Sequence, residues 1–465
     1  MSHRLSPRRR PRSLAALLTF ALHAAPAGAA DLLQIYRDAL ANDATYASAR
    51  ATRDAGLESL PQGLAQILPT VNATGFAQAN KVDITFRELG STPGSGPSTI
   101  PLPFESQRSG PTRGFTVTLT QPLFNWQNFQ VYKEAGFKAV QAEALFGQAT
   151  QDLIVRVAQA YFDVLASQDS LAFIQGQKVA IAEQLAQAKR NFEVGTATIT
   201  DTHEAQARFD LATSQEIAAQ SDLEFKKRAL QQIVGKFPER LEPLRPNIDL
   251  NPPQPNSMED WASAASTQSY PVRAQEAAVE VAVREIERVR SGHLPTLNLV
   301  GNAGTNYTGL STAATANSVS DSTVYNIGLQ LAIPLYAGGN VSSQVRQAVA
   351  NREKAQQDLE GARRTAALSA RQSFLGVTNG MAQVKALEAA LVSSRSALDS
   401  NKLGYEVGVR INIDVLNAQQ QVFSTLRDLS RARYDTILNS LRLKSASGTL
   451  TDGDVEEINR LLGSN

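Results

Sequence analysis

Two stretches of this chain repeat each other at a fixed distance of 213 residues. Phe192-Glu193-Val194-Gly195 aligns with Tyr405-Glu406-Val407-Gly408, Asp201 with Asp414, and Ala205-Gln206 with Ala418-Gln419. Each copy lies inside a proline-free run, from Leu123 to Phe237 and from Leu335 to Asn465. Within the first run Leu153, Val157, Tyr161 and Val164 step by three and four, the spacing of a narrow helical packing stripe. A continuous helix from Gln127 to Asn191 would be roughly 100 Å long at ~1.5 Å per residue, wider than any ordinary domain. The Val-Gly breaks are where such helices turn back, so the chain reads as two halves, each with a long helical hairpin.

A second repeat concerns strands. Leu68-Pro69-Thr70-Val71-Asn72 returns as Leu294-Pro295-Thr296-Leu297-Asn298, and Gln121-Pro122-Leu123-Phe124 as Ile333-Pro334-Leu335-Tyr336. Before the latter pair, Phe115, Val117 and Leu119 alternate with Thr116, Thr118 and Thr120. Tyr325, Ile327, Leu329 and Leu331 likewise alternate with Asn326, Gly328, Gln330 and Ala332. Strict alternation places one face in an apolar medium and the other in a polar one. Gly-, Ser- and Thr-rich stretches at Lys81 to Arg113 and Asn306 to Thr323 read as the loops between paired strands.

The pattern divides the chain into a targeting segment (1–30) and a first repeat (31–237). That repeat has strands at about 70–78 and 114–122 and a hairpin at about 125–236. A Pro-rich connector (238–256) follows and reads as an extended surface segment. The second repeat (257–450) has strands at about 296–305 and 324–333 and a hairpin at about 337–446, and a tail (451–465) closes the chain. The targeting segment carries Arg4, Arg8, Arg9, Arg10 and Arg12, an apolar Leu14 to Leu22, and the small residues Ala27-Gly28-Ala29-Ala30. Its removal takes the formal charge from +1 to −4, which does not suggest a nucleic-acid partner. Cysteine is absent, so there is no disulfide, thiolate metal site or lipid-anchor cysteine.

Chemistry is sparse. His203 and His293 are the histidines left after the targeting segment, and they fall in different segments. No phosphate-binding glycine loop occurs, and Gly338-Gly339-Asn340 reads as a hinge or helix cap. We expect no cofactor, no metal and no enzymatic activity. Four half-apolar strands cannot close a barrel, for which about eight is the practical minimum. Left open, they would expose edges and an apolar face. Three chains supply twelve strands and gather the helices into a tube; two chains are the less natural alternative. The fold class expected is mainly α with a membrane β-barrel part. It consists of two repeats of helix, strand, strand and long helical hairpin, forming a trimeric twelve-stranded barrel continued by an α-helical barrel.

This order, with the segments Gly292 to Leu297, Gly404 to Gln420 and Ala432 to Leu450, resembles the TolC family of outer-membrane channel-tunnels over nearly the whole chain. It is nearer the branch without a lipid anchor. The resemblance implies a homotrimeric duct in the outer membrane of a Gram-negative bacterium. Its partners would be outer-membrane lipid, a periplasmic adaptor (membrane fusion) protein and an inner-membrane ABC or other transporter. Its cargo would be exported proteins of type I secretion, toxin-like, or alternatively small-molecule drugs. Asn42-Asp43 departs from the family's usual Asn-Pro.

The resemblance also implies a gate at the periplasmic tip, formed by Tyr405 and Arg410 of the second hairpin with Asp201 of the first. The repeat supplies an asymmetry, since the counterparts of Tyr405 and Arg410 are Phe192 and Ala197. The plainer reading makes Asp201 a helix N-cap, with Glu204 completing a capping box. Asp414 and the position three residues on would ring the entrance with acid, but that second position is Asn417. The plainer role for Asp414 is again capping. On the strands, Phe115, Val117, Leu119, Ile327, Leu329 and Leu331 are expected to face lipid, and Thr116, Thr118 and Thr120 the lumen. The competing classes are a periplasmic adaptor with one hairpin, which the duplication disfavours, and a structural periplasmic coiled coil, which the alternating strands disfavour.

Overall fold

A computed structural model describes residues 30–86, 104–236, 240–246, 248–312 and 315–463. The targeting segment up to residue 29, the loop tip around Gly94 and residues 237–239 at the start of the connector lie outside the described residues. Each half of the chain has the order short helices, two strands, then a long helix and a shorter returning one. In the first half these are α1 (Leu32–Asn42), α2 (Ala44–Leu57), α3 (Ser59–Ala65), β1 (Thr70–Phe86), β2 (Phe104–Phe124), α4 (Trp126–Glu193) and α5 (Ile199–Val234). The second half has α6 (Met258–Gln268), α7 (Tyr270–Arg290), β3 (Thr296–Thr312), β4 (Thr315–Ala332), α8 (Asn340–Glu406) and α9 (Asn412–Ala446). A last helix, α10 (Asp452–Asn459), ends the fold. No helix among the described residues is long and apolar enough to cross a membrane.

α4 and α8 run for 68 and 67 residues, about 100 Å each at ~1.5 Å per residue. Their length follows from the absence of proline and from alanine at the contact positions, which lets neighbours approach closely. α4 is started by Asn125, whose side chain accepts from the Asn128 amide at 3.1 Å. α8 starts after Gly339, whose left-handed φ of 79° makes the Gly-Gly pair a cap.

Three features differ from expectation. The single helix expected before the strands of the first repeat is instead three, α1 to α3, broken first at Asp43, which caps α2 through a 2.6 Å bond from the Tyr46 amide. The strands run well into the stretches expected as loops, because the backbone ladders continue there to Phe86 opposite Phe104 and to Thr312 opposite Thr315. The connector is not merely a surface segment. Leu241 is 3 % exposed and bridges to Ala30, and Leu244 bridges to Leu462.

The main core is a waist halfway along the helices. Leu153, Val157, Tyr161, Phe162 and Leu165 of α4 pack there against Leu32, Ile35 and Tyr36 of α1, Leu230 and Val234 of α5, Ile437, Leu438 and Leu441 of α9, and Val455 and Ile458 of α10. Polar groups in the waist are bonded. Tyr161 donates to the Glu242 carbonyl at 2.8 Å, Tyr36 to Asp452 at 2.7 Å, and Gln151 to the Leu450 carbonyl at 3.0 Å. Tyr434 stacks on Phe162 and donates to Asp169 at 2.8 Å. Burial pushes both Tyr434 and the Asp169 carboxyl up from their ordinary values.

Candidate functional site: the hairpin tips and the two faces of the sheet

The strands form one antiparallel sheet in the order β1-β2-β3-β4. Residues directly opposite in such a ladder share a face. Leu119 pairs with Gly301 and Gly301 with Ile327, while Val117 pairs with Ala303 and Ala303 with Tyr325. Leu329 and Leu331 lie opposite Leu299 and Leu297. Thus Phe115, Val117, Leu119, Ile327, Leu329 and Leu331 stand on a single apolar face. The opposite face holds Thr116, Thr118 and Thr120, with Thr118 in one row with Asn72, Asn302 and Asn326. There Thr118 donates to Asn302 Oδ1 at 2.8 Å, and Asn302 donates to Asn326 Oδ1 at 2.9 Å.

Two glycines on the threonine face reveal how the sheet bends. A Cβ at Gly114 would lie 2.5 Å from the Thr305 carbonyl oxygen, and one at Gly304 2.6 Å from that of Phe115. Only glycine permits this approach, and the ribbon closes towards the threonine side there. The apolar side is left wide open, with Tyr325 78 % and Ile327 74 % exposed. β1 and β4 are edge strands. Beyond β4, Leu335 and Tyr336 are 93 % and 89 % exposed, whereas their counterpart Phe124 pairs with Leu297 of β3.

At the far end of the helices the two turns are built alike. Gly195 and Gly408 take φ values of 80° and 78°, which an L side chain would strain. The amides of Thr196 and Ala197 bond the Asn191 carbonyl at 2.8 and 3.2 Å, and those of Val409 and Arg410 bond the Gly404 carbonyl at 2.8 and 3.0 Å. Their side chains differ. Thr198 and Asp201 form the capping box of α5, so Asp201 sits at the third helical position and Glu204 is not its partner. α9 starts at Ile411 without a side-chain cap, and Asp414 instead lies 3.7 Å from Arg410.

Within one chain Tyr405, Arg410 and Asp201 do not meet. Tyr405 accepts a 3.1 Å bond from Asn191, and Asn417 accepts one of 3.1 Å from Arg208, whose other arm reaches Gln420 at 2.9 Å. Asn191 and Arg208 therefore tie the two hairpins together, and sequence reasoning missed both. The asymmetry that singled out Tyr405 would have found them, since their counterparts are Gly404 and Gln421. Around these bonds Ile181, Leu185, Ala205 and Leu416 form a small apolar cluster. Asn412 is buried nearby on α9 with neither amide atom bonded within the chain. Among the described residues no group of His, Asp and Glu has the arrangement of a metal site.

The model of the family described as "Outer membrane efflux protein" matches residues 35–236 and 261–449. The chain is 33 % identical to the outer membrane protein TolC of Vibrio cholerae, covering 93 % of each chain. It is 31 % identical to the alkaline protease secretion protein AprF of Pseudomonas aeruginosa, covering 91 % of this chain and 86 % of that one. Its fold matches the CmeC outer membrane channel of Campylobacter jejuni with a TM-score of 0.72 at 15 % identity, over 92 % of this chain and 89 % of that one. With an open half-apolar sheet at one end, two glycine-turned hairpins at the other and these matches along nearly all its length, the chain belongs to the outer membrane efflux protein (TolC) family, as a non-enzymatic outer-membrane channel of a Gram-negative bacterium.

Proposed function

We propose that three copies of this chain close a twelve-stranded barrel through the outer membrane and continue it as a helical tunnel across the periplasm. The observation that carries this reading is the unpaired sheet edge. Inside the chain β2 pairs with β3, and the repeat makes β4 the counterpart of β2 and β1 the counterpart of β3. The β4 edge of one copy therefore fits the β1 edge of the next, which also covers Leu335 and Tyr336. The internal pair Leu119 and Gly301 translates into Leu331 opposite Gly75 of the neighbouring copy. Opposed Cα atoms in a ladder stand ~4.5–5.5 Å apart, within disulfide reach. Since the chain has no cysteine, Leu331→Cys with Gly75→Cys should give a covalent three-chain band on a non-reducing gel. A ladder stopping at two chains, or none at all, would sink the trimer.

In that barrel Phe115, Val117, Leu119, Ile327, Leu329 and Leu331 face lipid, and Thr116, Thr118 and Thr120 face the lumen. The bend towards the threonine face supports this assignment. Arginine at Val117 should cost ~2–4 kcal/mol near mid-bilayer and much less at Thr118, read as the yield of assembled protein. Equal losses at both positions would reverse or abolish the assignment.

We read the cargo as protein, handed over by an inner-membrane transporter through a periplasmic adaptor in type I secretion. The named role of the relative AprF in alkaline protease secretion supports this. Deleting the gene should then deplete defined proteins from the culture medium and leave drug susceptibility unchanged. The reverse pattern would favour small-molecule efflux, the second reading, which the family's own description supports. At the entrance, Tyr405, Arg410 and Asp201 would hold the resting assembly shut. Of the two positions that would ring the entrance with acid, Asp414 alone would contribute, because Asn417 is neutral.

A further inference from the structure

We propose that the targeting segment is cut between Ala29 and Ala30, and that the amine freed by the cut fastens the chain's waist. The small-residue run Ala27-Gly28-Ala29-Ala30 allows two registers with small residues at the positions a leader peptidase reads, Ala27 with Ala29 or Gly28 with Ala30. They differ in whether Ala30 belongs to the leader or to the mature protein.

The structure engages Ala30 on both sides. Its nitrogen donates to the Arg240 carbonyl at 2.8 Å, and its carbonyl accepts from the Glu242 amide at 3.2 Å, a parallel bridge to the buried Leu241. The Tyr161 hydroxyl, fully buried in α4, lies 3.4 Å from the same carbonyl oxygen. The next residues continue the knot. Asp31 caps α1 at the Gln34 amide (2.8 Å) and accepts from Asn459 Nδ2 of α10 (2.8 Å), while Asn459 Oδ1 accepts from the Leu33 amide (3.2 Å). Residues 30 to 33 thus join the connector, α4 and α10 at the point where the waist closes.

A cut after Ala30 would leave the Arg240 carbonyl and the Glu242 amide without partners beside a buried leucine. It would also place the new positive charge on Asp31, competing with α1 for its carboxylate. A cut after Ala29 does neither. Water from the solvent adds to the Ala29 carbonyl carbon and the C–N bond to Ala30 breaks. Ala29 leaves as a carboxylate with the leader, and Ala30 keeps the nitrogen. With an α-amino pKa of about 7.7–8.0, that amine is largely protonated at neutral pH and donates a charge-assisted bond to Arg240. A peptidase needs the scissile bond free and extended, and Ala30 set in the bridge would withhold it. Cutting therefore precedes closure of the waist.

N-terminal sequencing and intact mass of protein purified from outer membranes should show a chain beginning at Ala30. A start at Asp31, Gly28 or any other residue overturns the assignment. Deleting Ala30 keeps Ala27 and Ala29 at the cut and yields a mature chain starting at Asp31. That variant should melt at a lower temperature than wild type, while Ala30→Gly, which keeps both backbone bonds, should melt close to wild type. A deletion variant that melts like wild type overturns the fastening role.

Discussion

Purified trimer carrying Arg410→Ser together with Tyr405→Phe should conduct several-fold more current per channel in a planar bilayer than wild type. It should also admit bulky antibiotics to cells without any inner-membrane partner. The argument starts from what these side chains do in the single chain. Arg410, in the turn, lies 3.7 Å from Asp414 at the start of α9, too far for a strong bond, and Tyr405 holds only an amide from Asn191. Both have bonding capacity to spare for a neighbouring copy, and a guanidinium offers a planar fork of donors. Asp201 spends one carboxylate oxygen on the capping box with Thr198, which leaves the other to accept. A charge-assisted bond of this kind is worth ~1.5–3 kcal/mol, and in the proposed assembly three copies around one axis would keep the open state below ~1 %. The packing behind the gate is modest: a small apolar cluster and a buried Asn412 with no bonded amide atom, far from the dense waist. In the proposed gate the latch would therefore decide the resting state, and an adaptor that binds the open tip more tightly would release it. A double variant that conducts like wild type would remove these residues from the gate.

Asp43→Ala should lower the stability of the protein by ~2–4 kcal/mol, the combined loss of a helix cap and of one half of a partly buried ion pair. Asp43 is 4 % exposed. It accepts the Tyr46 amide at 2.6 Å and takes both arms of Arg156 at 3.0 and 3.2 Å, fixing the α1–α2 corner to α4. Arg156 is itself partly solvated, which keeps the expected loss below that of a fully buried pair. Burial works to raise the Asp43 carboxyl, but the bonds from Arg156 and the amides outweigh it, and its pKa lies below the usual carboxylate range. A depressed pKa stabilises the fold above the unfolded value of about 3.9, and that contribution fades as pH falls through the folded value. The gap in melting temperature between variant and wild type should accordingly be full at neutral pH and narrow in acid. Asp43→Asn, which keeps the cap and loses the ion pair, should fall between the two. An alanine variant that melts with wild type at pH 7 would show the corner to be held by packing alone.

Asp43 also shows where reading from sequence stops. Its departure from the family's usual proline is visible in the sequence, but nothing local says that Arg156, more than a hundred positions away, answers it. The same holds for Arg208, whose partners Asn417 and Gln420 lie in the other repeat. By contrast Phe115, Val117 and Leu119 declare their common face by alternation alone, because side-chain direction in a strand has a period of two.

The sequence alone determined the duplication, the long proline-free hairpins with their Val-Gly turns and the two-faced strands. Each of these is local or periodic, and periodicity is set by backbone geometry. Only the tertiary structure decided how far the strands extend, that the Pro-rich connector is strapped into the waist through Leu241 and Ala30, and that Asp201 caps with Thr198. It likewise decided that Asn191 and Arg208 bridge the hairpins. These depend on which distant segments come into contact, and the burial and hydrogen-bond energies that choose those contacts arise only once the whole chain has packed.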